Sequence, residues 1–236
     1  MTPSIRDRVL SLDWDVIRED LREGGYALLP PLLNRGECDG LRGMYAEESV
    51  FRSHVVMSRF GFGRGEYKYF KYPLPELVAD VRESLYPQLA RIANAWTEEK
   101  AAEVFPQKHS DYLEHCRSAG QCRPTPLLLK YQAGDFNCLH QDLYGEVAFP
   151  LQATFFLSRL AADYTGGEFV LVEQRPRMQS RARVITAEQG QAVIFPTRYR
   201  WVRGTRGHYR TNLRHGVSLL HSGERYTLGV IFHDAK

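Results

Sequence analysis

The sequence lacks the features of exported, membrane-spanning or zinc-binding chains. It has no apolar run near the roughly 20 residues that span a bilayer, so no membrane partner is expected. The N-terminus is charged from Arg6 onward and has no apolar signal core, which argues against export. The 4 cysteines form no CxxC motif. We expect them to be reduced thiols of a cytoplasmic protein rather than zinc ligands.

Composition is that of a soluble enzyme or binding protein, with 43% apolar and 25% charged residues. The length of 236 residues is sufficient for a single domain, 1–236, with a substantial core. The chain contains no internal repeat or low-complexity tract. These properties alone do not separate an enzyme from a binding module.

Residues 1–125 are predicted to be mainly helical. Apolar residues recur at helical spacing over 12–25 and 75–96; the first run ends at a Gly-Gly pair, and the second begins at Pro75. Between them, residues 59–72 combine three glycines with alternating aromatic and basic side chains. Because glycine favours irregular backbone, we interpret this segment as a mobile lid.

From residue 126 onward, the pattern changes to short runs rich in β-branched and aromatic residues, separated by turn signals. The seven runs are 126–132, 149–158, 167–174, 181–187, 191–196, 212–220 and 225–232. So many short strands in less than half of the chain favour a β-sandwich or jelly roll over alternating β–α units. The predicted fold is α+β, with a jelly-roll core over 126–236 supported by the N-terminal helices.

A histidine and an aspartate two residues apart, His140 and Asp142, follow a strand-like run and a turn. In extended chain, residues i and i+2 share one side and can bind the same ion. His109 and Asp111 have the same spacing, but they lie in a helical pattern, where such side chains point apart. We therefore expect a helix-surface histidine at 109 and a candidate metal site at 140–142.

The candidate third ligand is His215, on the penultimate predicted strand. Two histidines and one carboxylate form the facial triad of non-haem Fe(II) oxygenases, which leaves positions open for a co-substrate and O2. Arg225 follows ten residues later. Considered alone, it is an ordinary strand arginine, whose planar, permanently charged guanidinium suits bidentate capture of a carboxylate wherever one is present.

The pattern HQD…HGV…GERYTL resembles the 2-oxoglutarate/Fe(II)-dependent dioxygenase superfamily, whose fold is a double-stranded β-helix, or jelly roll. The resemblance implies O2 as the oxidant, decarboxylation of 2-oxoglutarate to succinate and CO2, and hydroxylation of a substrate C–H bond. The residues 166–169, GGEF, match the strand between the ligands. The implied site consists of the catalytic Fe(II) ligands His140, Asp142 and His215, and of Arg225, Thr227 and Tyr131 as 2-oxoglutarate contacts.

A narrower resemblance, to a bacterial branch described as oxygenases acting on alkylated DNA, depends on GFGRGEYKYF, LHQDLYGE, FVLVEQRPRMQSRA and VRGTRGHYRTNLRHGVS. It implies oxidative dealkylation, in which a hydroxylated N-methyl group leaves as formaldehyde and the base is restored. However, HSGERYTLG departs from the RxNxTxR run of AlkB-type dealkylases and is closer to the prolyl-hydroxylase pattern.

Residues 175–214 contain ten arginines, no lysine and one acid, a local charge of +9 in a chain of +3. A concentrated arginine surface suits a phosphate backbone, and basic residues interleaved with aromatics in 59–72 suit base stacking. The alternatives are a solvated barrel exterior paired with acidic residues of the N-terminal half, and a lid packed on the jelly roll. The candidate substrate contacts are Arg64, Tyr67, Tyr69, Arg181, Arg183, Arg198 and Arg200.

Three functions remain open at this point. The first is an Fe(II)/2-oxoglutarate-dependent dioxygenase that dealkylates DNA or RNA in repair. The second is a hydroxylase of a protein side chain, a free amino acid or a small metabolite, for which the arginine segment would not matter. The third is a non-catalytic jelly-roll binding module, which has no need of a complete set of metal ligands and Arg225.

Overall fold

The computed structural model describes residues 3–97, 104–205 and 207–236. The described residues form five α-helices, none of them long and apolar enough to cross a membrane. The helices are α1 (Ile5–Leu10), α2 (Trp14–Gly24), α3 (Arg35–Met44), α4 (Glu76–Thr97) and α5 (His109–Ser118). The strands are β1 (Ala27–Leu29), β2 (Phe51–Val56), β3 (Gly63–Arg64), β4 (Glu66–Phe70), β5 (Leu127–Gln132), β6 (Phe136–His140), β7 (Leu151–Phe156), β8 (Tyr164–Gly166), β9 (Phe169–Gln174), β10 (Arg181–Ile185), β11 (Ala192–Pro196), β12 (Tyr199–Gly204), β13 (Gly207–Val217) and β14 (Leu220–Ile231).

The strands form two antiparallel sheets. The larger sheet has the order β1-β11-β7-β14-β5-β4-β2, with β8 also paired to β14. The smaller sheet has the order β10-β9-β13-β6-β3, with β12 paired to β13. The predicted α+β fold with a jelly-roll core is confirmed.

All seven runs predicted as strands beyond residue 126 contain strands. β11 is buried along its whole length, as expected for an apolar run covered on both faces. β6 was not predicted because its five residues, FNCLH, show no alternation of apolar and polar side chains. The last residue of this missed strand is His140.

The helices cover one face of the larger sheet. Val81, Leu85 and Leu89 of α4 belong to one buried cluster with Phe155 of β7 and Leu228 of β14. Burying side chains of this size stabilises the fold by about 1.5–3 kcal/mol each. The two predicted helices are confirmed, and α2 ends as expected at Gly25, whose φ of 77° requires a residue tolerant of the left-handed conformation.

The segment 59–72 differs from the predicted mobile lid. β4 pairs with β2 on one side and β5 on the other, and β3 pairs with β6 of the smaller sheet. Gly63 has a φ of 125°, and a Cβ there would lie 2.4 Å from the carbonyl oxygen of Phe136. This glycine therefore allows two strands to approach closely, whereas composition alone suggested mobility.

The prediction for residues 1–125 is also incomplete. Helices dominate this part of the chain, but β1, β2 and β4 are strands of the larger sheet, together with strands from beyond residue 126. β1 has only three residues, too few to show a period of two in the sequence. The jelly-roll core therefore includes strands from both halves of the chain.

Candidate active site

The three predicted metal ligands meet where β6 ends beside β13. His140 and His215 are direct cross-strand partners. Oδ2 of Asp142 lies 3.2 Å from Nε2 of His215, and Oδ1 of Asp142 lies 3.7 Å from Nε2 of His140. The three ligand atoms lie within 4.8 Å of one another, and no other His, Cys, Asp or Glu group in the described ranges forms such a cluster.

Neighbouring groups orient both histidine rings. Nδ1 of His140 lies 2.8 Å from the carbonyl oxygen of Cys138. Since a carbonyl can only accept, Nδ1 carries the proton and the lone pair of Nε2 is available to a metal. The ring of His215 is buried, stacked against Phe169 with the ring centroids 5.8 Å apart, and packed on Phe195 at 4.8 Å.

The local electrostatics favour the protonation states that bind metal. Burial would raise the pKa of Asp142, but the nearby His215 and His140 and a hydrogen bond from Tyr144 outweigh it and place the pKa well below its ordinary value. Burial, and then the proximity of His215, lowers the pKa of His140. At pH 7 the carboxylate is therefore ionised and the His140 imidazole is neutral, as metal coordination requires.

Arg225 is buried among aromatic rings and has no hydrogen-bond partner. It is 1% exposed, and none of its three guanidinium nitrogens has a hydrogen bond in the structure. Because an unpaired buried charge costs several kcal/mol, this environment suits an anionic ligand. Gly167 leaves room beside it, since a Cβ there would lie 3.2 Å from Cδ of Arg225.

Tyr131 and Thr227, the other two expected 2-oxoglutarate contacts, lie beside Arg225. Tyr131 is the cross-strand partner of Arg225, and Thr227 lies two residues further along β14. The Tyr131 hydroxyl accepts a hydrogen bond from Nδ2 of Asn137 at 3.2 Å, so its own proton remains free for a ligand. Burial raises the pKa of Tyr131 to about 12, which keeps that proton in place at pH 7.

A single cavity of about 340 Å³ connects the three metal ligands with Arg225, Thr227 and Tyr131. Other side chains of its wall are Phe62, Tyr67, Tyr69, Tyr144, Gln152, Thr154 and Phe169. Metal ligands at one place and an unpaired cation at another fit Fe(II) and the dicarboxylate 2-oxoglutarate. The aromatic part of the cavity wall is not used by these two groups and is free to contact a substrate.

The predicted substrate contacts are in different environments. Tyr67 and Tyr69 line the cavity, but Arg64 lies in a separate surface groove with Lys130. Among the other predicted substrate contacts, Arg181 and Arg198 are exposed, and Arg183 is partly buried. The guanidinium carbon of Arg183 lies 5.9 Å from the ring centroid of Tyr26.

Arg200 contradicts the prediction that it belongs to an exposed phosphate-binding surface. It is 2% exposed, and Nη2 lies 3.1 Å from Oε1 of the buried Glu173. Nη1 donates to the carbonyl oxygen of Arg22 at 2.6 Å. Arg198 was expected to share its strand face, but β12 begins one residue after Arg198. Arg200 thus pairs with an acid inside the fold.

We expect Arg200→Met to destabilise the protein because it leaves the buried Glu173 carboxylate with only the partly exposed Arg175 as a partner, 3.3 Å away. The free energy of unfolding should fall by about 3–5 kcal/mol, measured by urea denaturation. The double variant Arg200→Met, Glu173→Leu should recover most of this loss, since it leaves no buried charge unpaired and Arg175 is partly exposed to solvent. A loss below about 1 kcal/mol in the single variant would contradict the assigned role of the pair.

His109 is also not the helix-surface residue that was predicted. It begins α5, as expected, but it is buried, and its Nε2 donates to the carbonyl oxygen of Phe232 at 2.8 Å. Burial lowers the pKa of His109 to about 3.

Two features of the cavity wall were not identified from the sequence. Gln152 is 3% exposed, lines the cavity and has an Nε2 without a partner. A sequence signal existed here, since Gln152 and Thr154 are polar residues at alternate positions of an otherwise apolar strand. Tyr144 had no signal except its position two residues after Asp142.

Comparison with known proteins identifies a family. The profile of a family described as an oxygenase catalysing oxidative methylation of damaged DNA matches residues 65–235. The chain is 46% identical over 200 residues to the uncharacterized protein Rv2227 of Mycobacterium tuberculosis, covering 82% of this chain and 86% of that protein.

Solved structures show the same fold at low sequence identity. A prolyl-4-hydroxylase of Pseudomonas putida superimposes with a TM-score of 0.55 at 16% identity, covering 92% of this chain and 96% of that chain. The α-ketoglutarate-dependent epimerase SnoN of nogalamycin biosynthesis gives 0.56 at 13% identity, covering 92% and 80%. Because the family profile spans most of the chain, the chain belongs to this oxygenase family, and its cluster of three metal ligands with the buried, unpaired Arg225 fits an Fe(II)- and 2-oxoglutarate-dependent oxygenase.

Proposed function

We propose that this oxygenase oxidises alkyl groups on the bases of damaged nucleic acid. One atom of O2 enters succinate as 2-oxoglutarate loses CO2, and the other converts N–CH3 to N–CH2OH. The hydroxymethyl product then releases formaldehyde and leaves N–H on the base. The family is described by oxidative methylation of damaged DNA, but the cavity has the ligands for an iron centre that oxidises its substrate. We therefore interpret the methyl group as the part of the substrate that is oxidised.

The observation that carries this proposal is an unpaired arginine surface near the cavity. The exposed arginines without an acidic partner among the described residues of this segment are Arg177, Arg181, Arg198, Arg210 and Arg214. Their charges are available to phosphates, because only Arg175 and Arg200 of the segment pair with an acid in the described chain. Forked guanidinium donors suit phosphate oxygens.

The hairpin of β12 and β13 joins this surface to the metal ligands. Gln141, between His140 and Asp142, donates from Nε2 to the carbonyl oxygens of Arg198 at 2.7 Å and Leu213 at 2.8 Å. These contacts place the base of the arginine-bearing hairpin directly beside the metal-binding segment. A backbone bound along the hairpin would therefore run past the active site.

Aromatic side chains support a nucleobase as the reacting group. The rings of Tyr67 and Tyr69 meet edge to face at 5.4 Å on the cavity wall. At the mouth, Phe60 and Phe62 are exposed and stacked on each other, with centroids 5.6 Å apart. Flat aromatic surfaces accept a base that has left its stack, which an enzyme of this kind requires.

The residues of the cavity have separable tasks in this reaction. His140, Asp142 and His215 would hold Fe(II), and Arg225 with Tyr131 would bind the remote carboxylate of 2-oxoglutarate. The bound iron, with 2-oxoglutarate and O2, supplies the oxidising equivalents for C–H hydroxylation. The aromatic wall would orient the base and exclude water from the reacting carbon.

The test is anaerobic loading with Fe(II) and 2-oxoglutarate, followed by exposure to O2 with one substrate at a time. The substrates are methylated single-stranded DNA, methylated duplex, the same oligonucleotides without methyl groups, and a proline-rich peptide. We expect formaldehyde in step with succinate for methylated DNA alone. Succinate stimulated by the peptide, without formaldehyde from any nucleic acid, would contradict dealkylation and favour hydroxylation of a protein side chain.

The arginine surface makes a separate prediction about binding. The triple variant Arg181→Gln, Arg210→Gln, Arg214→Gln should bind methylated single-stranded DNA more weakly and with a flatter salt dependence. Three lost phosphate contacts should reduce the slope of log K against log salt by about 2. A matched control replaces the exposed helical arginines Arg6, Arg18 and Arg35 and should keep the original slope. Equal slopes in both variants would contradict phosphate binding and would mean that the arginine segment is a solvated exterior.

A further inference from the structure

Tyr144 makes a direct hydrogen bond to a metal ligand. Its hydroxyl oxygen lies 2.8 Å from Oδ1 of Asp142. An ionised carboxylate has no proton to give, so Tyr144 is the donor. The hydroxyl of Tyr69 lies 3.1 Å from the Tyr144 oxygen. Because the only Tyr144 proton is engaged by Asp142, Tyr69 must donate, and the bonds run from Tyr69 through Tyr144 to Asp142.

Packing fixes both tyrosine rings independently of a metal. Tyr69 belongs to β4, between β2 and β5, and the guanidinium carbon of Arg52 lies 4.5 Å from its ring centroid. Arg52 is itself fixed, because its Nε donates to the carbonyl oxygen of Pro124 at 3.0 Å. The Tyr144 ring lies 6.1 Å from the Tyr69 ring and 6.0 Å from the imidazole of His233.

The two oxygens of Asp142 consequently have different surroundings. Oδ1 accepts the hydrogen bond of Tyr144, whereas Oδ2 lies 3.2 Å from Nε2 of His215, another metal ligand. Adjacent ligands of an octahedral ion with bonds of about 2.1 Å lie about 3 Å apart. Oδ2 and Nε2 of His215 therefore already have the separation of two ligands of one ion.

We propose that Tyr144 is a positioning residue of the metal centre, which binds Oδ1 so that Asp142 presents Oδ2 to the metal, and that Tyr69 acts on the metal through Tyr144. Without this hydrogen bond, Oδ1 is buried without a donor, and the carboxylate can rotate so that Oδ2 no longer keeps its 3.2 Å distance from Nε2 of His215. The proposal concerns the metal site alone and is the same for any substrate.

The experiment measures metal binding rather than turnover. Metal-free wild type, Tyr144→Phe, Tyr69→Phe and the double variant are titrated with Co(II), and with Fe(II) under anaerobic conditions, by calorimetry. Loss of an outer hydrogen bond to a metal ligand typically weakens metal affinity about 10–100-fold, which is the loss expected for Tyr144→Phe. Tyr69→Phe should lose less, because the Tyr144 hydroxyl remains.

The double variant distinguishes a chain of hydrogen bonds from two independent effects. If Tyr69 acts through Tyr144, the double variant should bind metal as weakly as Tyr144→Phe alone. The visible absorption spectrum of the Co(II)-loaded protein should change in Tyr144→Phe, since the coordination of the carboxylate changes. A loss of stability without a ligand effect would leave this spectrum unaltered.

Tyr226→Phe is the matched control, because it removes a hydroxyl from β14 whose partner is Glu224, outside the cavity. It should retain wild-type metal affinity, and thermal melting with a chelator should show that every variant is folded. Wild-type affinity and an unchanged Co(II) spectrum in Tyr144→Phe would overturn the proposal. Additive losses in the double variant would overturn the part assigned to Tyr69.

Discussion

His215→Ala is expected to abolish turnover of 2-oxoglutarate while the protein remains folded. Two ligands would remain for the metal, and Asp142 would lose the group 3.2 Å from its Oδ2. Metal ions contribute several kcal/mol to catalysis, and about 1.4 kcal/mol corresponds to a tenfold change in rate. Succinate formation should therefore fall by about 1000-fold or more, measured with saturating Fe(II) and 2-oxoglutarate.

The fold should survive this change because the His215 ring contacts side chains of the site itself, His140 and Asp142, and the rings of Phe169 and Phe195, while the strand pairs through its backbone. Thermal melting provides the check on folding. His221→Ala is the matched control, since His221 is exposed and does not line the cavity; it should retain full turnover. If His215→Ala decarboxylated 2-oxoglutarate at the wild-type rate, the metal assignment would be wrong.

Arg225→Met is expected to raise the KM for 2-oxoglutarate strongly. The variant removes the cation opposite the remote carboxylate and leaves that carboxylate buried without a charged partner. Truncating one partner of a buried, hydrogen-bonded charge pair costs about 2–5 kcal/mol, which corresponds to about 30-fold to more than 1000-fold in affinity. Succinate formation at increasing concentrations of 2-oxoglutarate measures this effect.

The same substitution should stabilise the ligand-free protein. In the structure, all three guanidinium nitrogens of Arg225 lack a partner in a buried site, and an apolar side chain of similar length removes this cost. The melting temperature without 2-oxoglutarate should rise by a few degrees, on the order of 2–4 °C per kcal/mol. Added 2-oxoglutarate should stabilise wild type but no longer the variant.

Arg225→Lys and Arg159→Met are the controls for these two effects. Lysine retains the charge without the fork, so its KM should lie between those of wild type and Arg225→Met. Arg159 is exposed and pairs with Asp163, so Arg159→Met should leave the KM unchanged. An unchanged KM in Arg225→Met would mean that Arg225 does not bind 2-oxoglutarate.

The metal ligands could be predicted from the sequence because the first two have a local signal and the third completes the motif of a known superfamily. His140 and Asp142 lie two apart in extended chain, and His215 and Arg225 follow at strand positions ten residues apart. The C-terminal strands were predictable for the same reason, since alternation of apolar residues is a property of neighbouring positions. Within the family, these signals are sufficient for the fold and for the chemistry of the iron site.

Whether a charged or polar residue faces solvent was decided only in three dimensions. Arg198 and Arg200 both belong to the arginine-rich segment of the sequence, yet one is exposed and the other is buried against Glu173. In the sequence, Gly63 could indicate a mobile loop or a close approach of two strands. The structure shows a close approach, because the backbone of Phe136, 73 residues away, leaves no room for a Cβ at Gly63.

The sequence by itself determined the metal-binding pattern, the arginine for the dicarboxylate and the succession of C-terminal strands. Tertiary structure alone decided that Tyr144, oriented by Tyr69 from a distant strand, donates to Asp142. The physical reason is the range of the interactions. Spacing and periodicity depend on adjacent residues, whereas burial, ion pairs and hydrogen bonds depend on partners that only the folded chain brings together.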